Sequence, residues 1–283
     1  MRIGVGLPST VPGTPGELLV DWARAAEAGP FSSLGVLDRL VYDSYDPFAS
    51  LAAAGAVTGR IGLVTMVVIG PLRPAGTLAK QAASVDAISG GRLTLGLALG
   101  ARVDDYEVAG VPARGRGDRF DEQLLALRTA FADGTVFPGS ARPNGPPLLV
   151  GGLTGRSYAR MARFADGYVH NGGPPRAFAR AAEQARAAWT DAGRPGTPAL
   201  WGQSYFALGD GDAASRGAAY LRDYYAFTGP FAEKIAAANL TTPQAVIDQI
   251  RGYEEAGCDE LVLLPTVSDR SQLDRLADVV ASV

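Results

Sequence analysis

Short apolar runs alternate along the chain with segments whose apolar residues recur at helical spacing. Several of the runs are rich in β-branched residues, which is typical of strands buried on both faces. We interpret eight runs as strands, at residues 3–7, 34–37, 61–68, 93–99, 148–150, 168–169, 199–208 and 261–264. We interpret seven segments between them as helices, at residues 17–28, 47–57, 77–88, 118–132, 157–164, 175–192 and 242–256. Asp46-Pro47 and Thr242-Pro243 each combine a capping side chain with a proline, which supports two of the helix starts.

A strand followed by a helix, repeated eight times, predicts a (β/α)8 barrel (the TIM barrel), which typically takes about 250 residues. The alternative is a doubly wound open sheet, which would carry a Gly-x-Gly-x-x-Gly turn after its first strand. Here the first strand continues into Pro-Ser-Thr-Val-Pro-Gly without that spacing, so the barrel is favoured. We expect one barrel domain over residues 1–283, with an extra helical segment at about residues 209–241.

The composition changes this picture little but excludes several classes of function. The net charge of −3 gives no general attraction to nucleic acid or to acidic membranes. The single cysteine, Cys258, excludes an internal disulfide, and the single histidine, His170, excludes a multi-histidine metal site, so we expect no metal. The chain has no apolar run of membrane-spanning length, and its N-terminus lacks the pattern of a signal peptide. We therefore expect a cytoplasmic protein.

Active sites of (β/α)8 barrels lie at the C-terminal ends of the strands. The residues predicted there form neither a catalytic triad nor a pattern of metal ligands. They are apolar and glycine-rich with a few polar groups, which favours a pocket for a flat organic cofactor whose own chemistry drives the reaction. The candidates are Leu7, Pro8, Asp38, Arg39, residues 66–69, residues 100–105, residues 151–157, His170, Asn171, residues 203–205, Pro265 and Thr266.

The segment Leu-Leu-Val-Gly-Gly-Leu-Thr-Gly-Arg-Ser, at residues 148–157, places a glycine-rich turn between a predicted strand and a predicted helix. A helix start with free N–H groups, hydroxyls and an arginine suits a phosphate. Glycines also mark ordinary turns, so the residues alone leave both interpretations open. The residues concerned are Gly151, Gly152, Thr154, Gly155, Arg156 and Ser157.

Longer segments carry a resemblance to a known family. They are YDPFASLAAAGAVTGRIGLVTMVV, GPLRPAGTLAKQAASVDAISGGRLTLGLALG, DDYEVAGVPARGRGDRFDEQLLALR, LLVGG with ARFADGYV, and the C-terminal AGCDELVLLP. In this order and spacing they resemble the bacterial luciferase-like family of oxidoreductases, which depend on flavin (FMN) or deazaflavin (F420). The resemblance implies a luciferase-like TIM barrel that binds its cofactor across the strand ends.

The resemblance also implies individual binding positions. In this family a non-prolyl cis peptide at the end of the third strand supports the flavin ring, and the matching bond here joins Met66 and Val67. The family's phosphate turn matches residues 151–157. Its polar residue after the fourth strand falls within residues 100–105, where Gly100 and Arg102 are the candidates.

Two departures from the family pattern limit what can be carried over. Many relatives have a histidine after an acidic residue behind the second strand, where this chain has Asp38-Arg39. Luciferase has an arginine near the flavin phosphate where this chain has Leu99, and Arg102 or Arg156 are the possible substitutes. The substrate and the acid–base scheme of luciferase therefore do not transfer directly.

His170 and Asp38 are the catalytic candidates. An imidazole titrates near neutral pH, so His170 is either a proton donor or hydrogen-bonding group at the site, or a side chain packed beside the phosphate turn. Asp38 either orients the flavin or pairs with Arg39. The aromatic stretch at residues 220–231 either covers the substrate pocket or packs as ordinary core.

From the resemblance we predict a monooxygenase that uses reduced FMN and oxygen on a small organic substrate, with a separate flavin reductase as a candidate partner. The alternative is an F420-dependent oxidoreductase, which transfers a hydride without oxygen. The arginines at positions 114, 116 and 119 slightly favour the anionic tail of F420. A cofactor-free binding relative is the alternative from another class, and the glycine turn argues against it. The family also implies a homodimer.

Overall fold

A computed structural model describes residues 1–136 and 138–283. Its strands are β1 Arg2–Gly6, β2 Ser33–Val36, β3 Gly62–Thr65, β4 Val68–Ile69, β5 Leu93–Ala98, β6 Leu148–Gly151, β7 Gly167–Val169, β8 Ala199–Phe206 and β9 Glu260–Pro265. Its α-helices are α1 Gly16–Ala28, α2 Pro47–Val57, α3 Ala75–Ile88, α4 Val103–Val108, α5 Arg116–Ala132, α6 Gly155–Phe164, α7 Pro175–Asp191, α8 Ala213–Tyr224, α9 Phe231–Ala237, α10 Pro243–Glu255 and α11 Ser271–Val280.

The strands form a closed parallel barrel. The hydrogen-bonded order is β3-β2-β1-β9-β8-β7-β6-β5-β4, and a further pairing of β3 with β5 closes the ring. β3 and β4 are two parts of one barrel strand, because both pair with β5, through Leu63 opposite Leu93 and Val68 opposite Leu97. The barrel therefore has eight strands, as predicted, and the doubly wound open sheet is wrong.

The predicted strand at residues 61–68 is interrupted, which the apolar pattern did not indicate. The Met66–Val67 peptide bond is cis, as expected from the resemblance, and the ladder to β5 breaks there. The Thr65 hydroxyl bridges the gap: it accepts from the Gly96 amide at 2.8 Å and donates to the Gly96 carbonyl at 2.7 Å. A side chain on Gly96 would collide with the Thr65 carbonyl, so glycine is required for this close approach.

Alternate residues of each strand enter two separate packing layers, which is the expected period of a strand. One layer lies between the strands and the helices and includes Leu148, Val150 and Tyr168 with Trp22 of α1 and Phe178 of α7. The other fills the inside of the barrel. It contains Val64, Leu149, Val169, Trp201, Val262, Tyr220, Leu221 and Tyr224, among others. Because the last three belong to α8, the inserted helix packs onto the barrel interior rather than onto the outer layer.

The helix starts follow local capping chemistry. Asp46 accepts from the Phe48 and Ala49 amides, both at 2.9 Å, and Thr242 accepts from the Ala245 amide at 3.1 Å, so the two predicted caps are confirmed. Three predicted starts are two residues late, since α3, α5 and α6 begin at residues 75, 116 and 155. Helices α4 and α11 were not predicted, and α8 and α9 account for the expected extra helical sequence.

Two findings bear on the class of protein. No helix within the described residues is long and apolar enough to cross a membrane. Within those same residues, no three His, Cys, Asp or Glu side chains are grouped so that they could hold a metal ion.

Candidate active site

The turn between β6 and α6 (residues 151–157) lies at the C-terminal end of a barrel strand, as the fold predicts. Thr154 caps α6: its hydroxyl oxygen accepts from the Ser157 amide at 3.3 Å and lies 3.0 Å from the Ser157 hydroxyl. Gly152 has a φ of +135°, and a Cβ on it would lie 2.7 Å from the Ser157 Cβ and closer still to its hydroxyl. Glycine at 152 is therefore what allows this turn to fold back over Ser157.

The same turn fits an anion. The amides of Gly155 and Arg156 open α6, and they have no acceptor among the described residues. The side chains of Thr154 and Arg156 are exposed beside them, and Arg156 forms no ion pair within the described part of the chain. Two free amides at the positive end of a helix, a hydroxyl and a guanidinium form a suitable donor set for a phosphate monoester. These residues could thus hold the phosphate of a flavin nucleotide.

Asp38, at the end of β2, is fully engaged by protein groups. Its two oxygens accept from Arg73 at 2.6 and 3.0 Å, and one of them also accepts from the Ile69 amide at 2.9 Å. The expected alternative pairing with Arg39 is wrong, because Arg39 instead donates to Asp105 at 3.1 Å. Asp38 thus fixes the backbone just beyond the Met66–Val67 bond. Its proposed catalytic role remains a prediction.

Arg73 and Asp105 were the partners that sequence reasoning did not pair. Arg73 lies in the 3-10 turn region after β4, and Asp105 lies in the unpredicted helix α4. Asp105 belonged to the candidate range 100–105, and Arg73 belonged to a segment that carried the family resemblance. Both residues thus lay in segments that the sequence marked as candidates. The pairing partner of each side chain could not be predicted, because it depends on which strand ends meet in the closed barrel.

Arg102 and Gly100 lie at the end of β5, before α4. Arg102 pairs with Asp104, and its guanidinium lies over the Phe227 ring, 5.1 Å from the centroid. These contacts join Arg102 to α4 and to the inserted segment, not to the turn at residues 151–157. Of the two suggested substitutes for the missing arginine at Leu99, Arg156 therefore has the more suitable position.

His170 follows β7 on the outer side of the barrel wall. Its ring packs edge-on against Phe178 of α7, with the centroids 5.8 Å apart. Its Nδ1 lies 3.3 Å from the Tyr168 hydroxyl, which donates to the Gly152 carbonyl at 2.9 Å, while its Nε2 is buried without a hydrogen-bond partner in the described structure. Burial lowers the pKa of His170 to about 4, so the ring is neutral near pH 7. This geometry connects His170 to the phosphate turn through Tyr168.

Residues 220–228, which we call the roof segment, cover the interior end of the barrel. Tyr220 and Thr10 share a hydrogen bond of 2.7 Å, and so do the hydroxyls of Tyr225 and Tyr205. Burial raises the pKa of Tyr205 and Tyr225, so both remain neutral hydroxyls. Tyr220 and Tyr224 thus pack as core inside the barrel, while Phe227 and Phe231 are exposed. That the stretch covers a substrate pocket stays a prediction.

The barrel thus combines a turn whose free amides and guanidinium suit an anion, a cis peptide between β3 and β4, and an aromatic cluster at its interior end. Residues 1–240 match the family described as luciferase-like monooxygenase, and the chain belongs to that family. Its members depend on flavin or F420.

Curated relatives match part of the chain. An uncharacterized protein of Mycobacterium tuberculosis is 36% identical over 187 residues, which cover 54% of this chain and 65% of that relative. The oxygenase component of a flavin-dependent trigonelline monooxygenase from Acinetobacter baylyi is 36% identical over 88 residues, or 30% of this chain and 24% of that protein. The chain therefore matches less than two thirds of the length of these relatives.

Solved structures share the fold over the whole chain. The monooxygenase RslO1 from Streptomyces bottropensis has a TM-score of 0.79 at 21% identity, with 100% of this chain and 98% of that one covered. An F420-dependent secondary alcohol dehydrogenase with an F420-acetone adduct has a TM-score of 0.80 at 16% identity, with the same coverage. The oxygenating constituent of 3,6-diketocamphane monooxygenase from Pseudomonas putida, in complex with FMN, has a TM-score of 0.74 at 17% identity, with 100% and 98% covered. These likenesses concern the fold and include both cofactor types.

Proposed function

We propose that the protein is a monooxygenase that uses reduced FMN and oxygen on a small organic substrate. The observation that carries this proposal is the turn at residues 151–157, whose free amides and exposed arginine suit a terminal phosphate. The named function of the Acinetobacter baylyi relative supports flavin over F420. In this proposal the roof segment would cover the bound flavin and exclude water from reactive species.

In this proposal the chain's own residues bind the cofactor, orient it and cover the site. Gly155 and Arg156 would hold the phosphate, while Gly151 and Gly152 would let the backbone approach it. Met66, Val67 and Gly100 would hold the isoalloxazine ring, and Asp38 and Arg73 fix the backbone next to them. A bound reduced flavin supplies the electrons that activate oxygen. Tyr205 and Tyr225 offer neutral hydroxyls at the covered end of the barrel.

The protonation of His170 bears on its proposed catalytic part. Because burial keeps its pKa near 4, His170 is a poor proton donor at neutral pH. We propose that it acts through Tyr168 on the Gly152 carbonyl and so orients the phosphate turn. Asp38 likewise acts through Arg73 and the Ile69 amide.

The partners are proposals as well. A separate flavin reductase would supply the reduced cofactor, as the words "oxygenase component" indicate for the Acinetobacter baylyi relative. We also propose a homodimer and a cytoplasmic location. The F420-dependent oxidoreductase remains the second candidate, since Arg114 and Arg156 are both exposed near the strand ends and suit an anionic tail.

Separate titrations with FMN, with reduced FMN under anaerobic conditions and with F420 test the proposal. Fluorescence quenching reports binding in each case. Micromolar binding of FMN forms alone supports the monooxygenase, and binding of F420 alone replaces it with hydride transfer. Absence of binding to all three would favour the cofactor-free relative and refute both enzymes.

A further inference from the structure

Arg39 is a buried cation that touches three separate parts of the fold. Its side chain is 5% exposed, and its guanidinium lies 5.3 and 5.1 Å from the centroids of the Tyr42 and Tyr224 rings, which meet each other edge to face at 5.1 Å. Its Nε donates to Asp105 of α4 at 3.1 Å, and one terminal nitrogen donates to the Tyr224 carbonyl at 3.4 Å. One side chain thus joins the loop after β2, helix α4 and the roof segment.

Asp105 fixes this cation in place. The carboxylate is fully buried, and its second oxygen accepts from the Leu40 and Val41 amides at 3.0 and 2.8 Å. Val41 in turn accepts from Arg39 through its carbonyl at 3.1 Å. The loop that carries Arg39 is therefore held by Asp105 independently of the roof segment. The guanidinium is thus already in position for contact with an aromatic ring.

The roof segment has other contacts as well, some buried and some exposed. Tyr42 donates to Asp223 at 2.6 Å, and Tyr220 and Tyr225 are held by hydroxyl contacts with Thr10 and Tyr205. Arg102, which lies over Phe227, is 17% exposed and is neutralised by Asp104. A cation beside an aromatic ring gains more when it is desolvated than when it is exposed. Arg39 is thus a buried cationic anchor of the roof segment, whereas Arg102 and Arg222 are more exposed.

We propose that Arg39 is a positioning residue that seats the roof segment over the barrel interior. Its guanidinium pairs with Asp105 and donates to the Val41 and Tyr224 carbonyls at the same time, and a lysine ammonium lacks this planar fork of donors. The idea that the roof segment shields a bound flavin rests on the function proposed above. The positioning of the roof segment by Arg39 does not depend on that function.

Arg39→Lys tests the seating in the protein without cofactor. The ammonium keeps a charge beside Asp105 but loses the guanidinium's contacts with the ring and the carbonyl of Tyr224, so amide hydrogen exchange in residues 220–228 should accelerate by about tenfold or more. Exchange in α10 should stay unchanged. Arg222→Ala is the matched control, because it removes a roof arginine that pairs with Glu233 on the surface at 51% exposure. Unchanged exchange in the roof segment, or equal acceleration throughout the chain, would overturn the proposal.

Tyr224→Leu is the second variant if Arg39→Lys folds poorly. It removes one ring while the pair of Arg39 and Asp105 stays intact, so the same local acceleration is expected. A roof segment that stays protected in this variant would also overturn the proposal.

Quenching of bound FMN fluorescence by iodide measures the shielding. In Arg39→Lys the quenching constant should rise about threefold or more with the FMN affinity largely kept, whereas Arg222→Ala should match the wild type. Quenching that does not change, with the roof segment loosened, would refute the shielding. If FMN does not bind at all, the proposed function fails, while the exchange result still decides the seating.

Discussion

Gly152→Ala is the sharpest test of the phosphate turn. The φ of +135° at this position is strained for any residue with a side chain, at a cost of about 1–3 kcal/mol. The new Cβ would also lie 2.7 Å from the Ser157 Cβ, in contact with the residue that Thr154 holds at the start of α6. The turn must therefore move, and the amides of Gly155 and Arg156 move with it.

The expected loss follows from those two amides. A hydrogen bond to a charged group contributes about 1.5–3 kcal/mol, so misaligning one or two of them weakens FMN binding by about 3 kcal/mol. This corresponds to roughly a 100-fold rise in Kd. The same strain should lower the midpoint of thermal unfolding by about 2–4 °C per kcal/mol, while the barrel itself stays folded.

Fluorescence titration with FMN measures this change, and Gly155→Ala is the matched control. A Cβ on Gly155 meets nothing within 4 Å, and its φ lies outside the left-handed region, so the turn should keep its shape. We expect a Kd within about threefold of the wild type for this control. Wild-type affinity in folded Gly152→Ala would refute the placement of the phosphate. Equal losses in both variants would mean that simple crowding of the ligand, and not the backbone conformation, is responsible.

Three further predictions concern protonation and buried charge. His170 has a pKa of about 4 when folded against about 6.5 when unfolded, so its contribution to stability is complete above pH 6.5 and is lost as the pH falls toward 4. Between pH 7 and pH 4, the free energy of unfolding in urea should therefore fall by about 3 kcal/mol more in the wild type than in His170→Asn. Parallel pH curves for the two proteins would contradict the assignment. Burial raises the pKa of Cys258 to about 12, so its thiol should resist a thiol reagent at pH 8 in the native protein and react in the denatured protein. Rapid labelling of the native protein would show that the thiol is accessible. Asp38→Asn leaves Arg73 with Asp46 as its ion-pair partner, at 3.3 Å. Urea titrations should show a free energy of unfolding lower by about 2–4 kcal/mol. Full stability with lost turnover would instead identify Asp38 as a catalytic residue.

Much of the barrel could be predicted from the sequence because its elements are locally coded. Apolar runs of strand length identify the strands, and Asp46 and Thr242 mark helix starts through hydrogen bonds to amides two or three residues away. Helices α4 and α11 were missed. Helix α4 is six residues long, too short for a clear apolar period.

The candidate site could be predicted in part. Its turn was located as a glycine-rich junction, although the residues alone could not separate an anion site from an ordinary turn. Once Gly152 is seen at its φ of +135° with Ser157 beneath it, the glycine has a specific conformational reason. The orientation of His170 away from the barrel interior could not be read from its place at a strand end, because it depends on the alternation set by Tyr168 and Val169.

By itself, the sequence determined the order of strands and helices, and hence which loops share one end of the barrel, because these depend on contacts between near neighbours. The tertiary structure decided which charges meet. Asp38 pairs with Arg73 across 35 positions, and Arg39 pairs with Asp105 across 66, although the adjacent Asp38 and Arg39 offered the simpler local pair. Side chains so far apart in the chain become neighbours only when the barrel closes and brings the ends of different strands together.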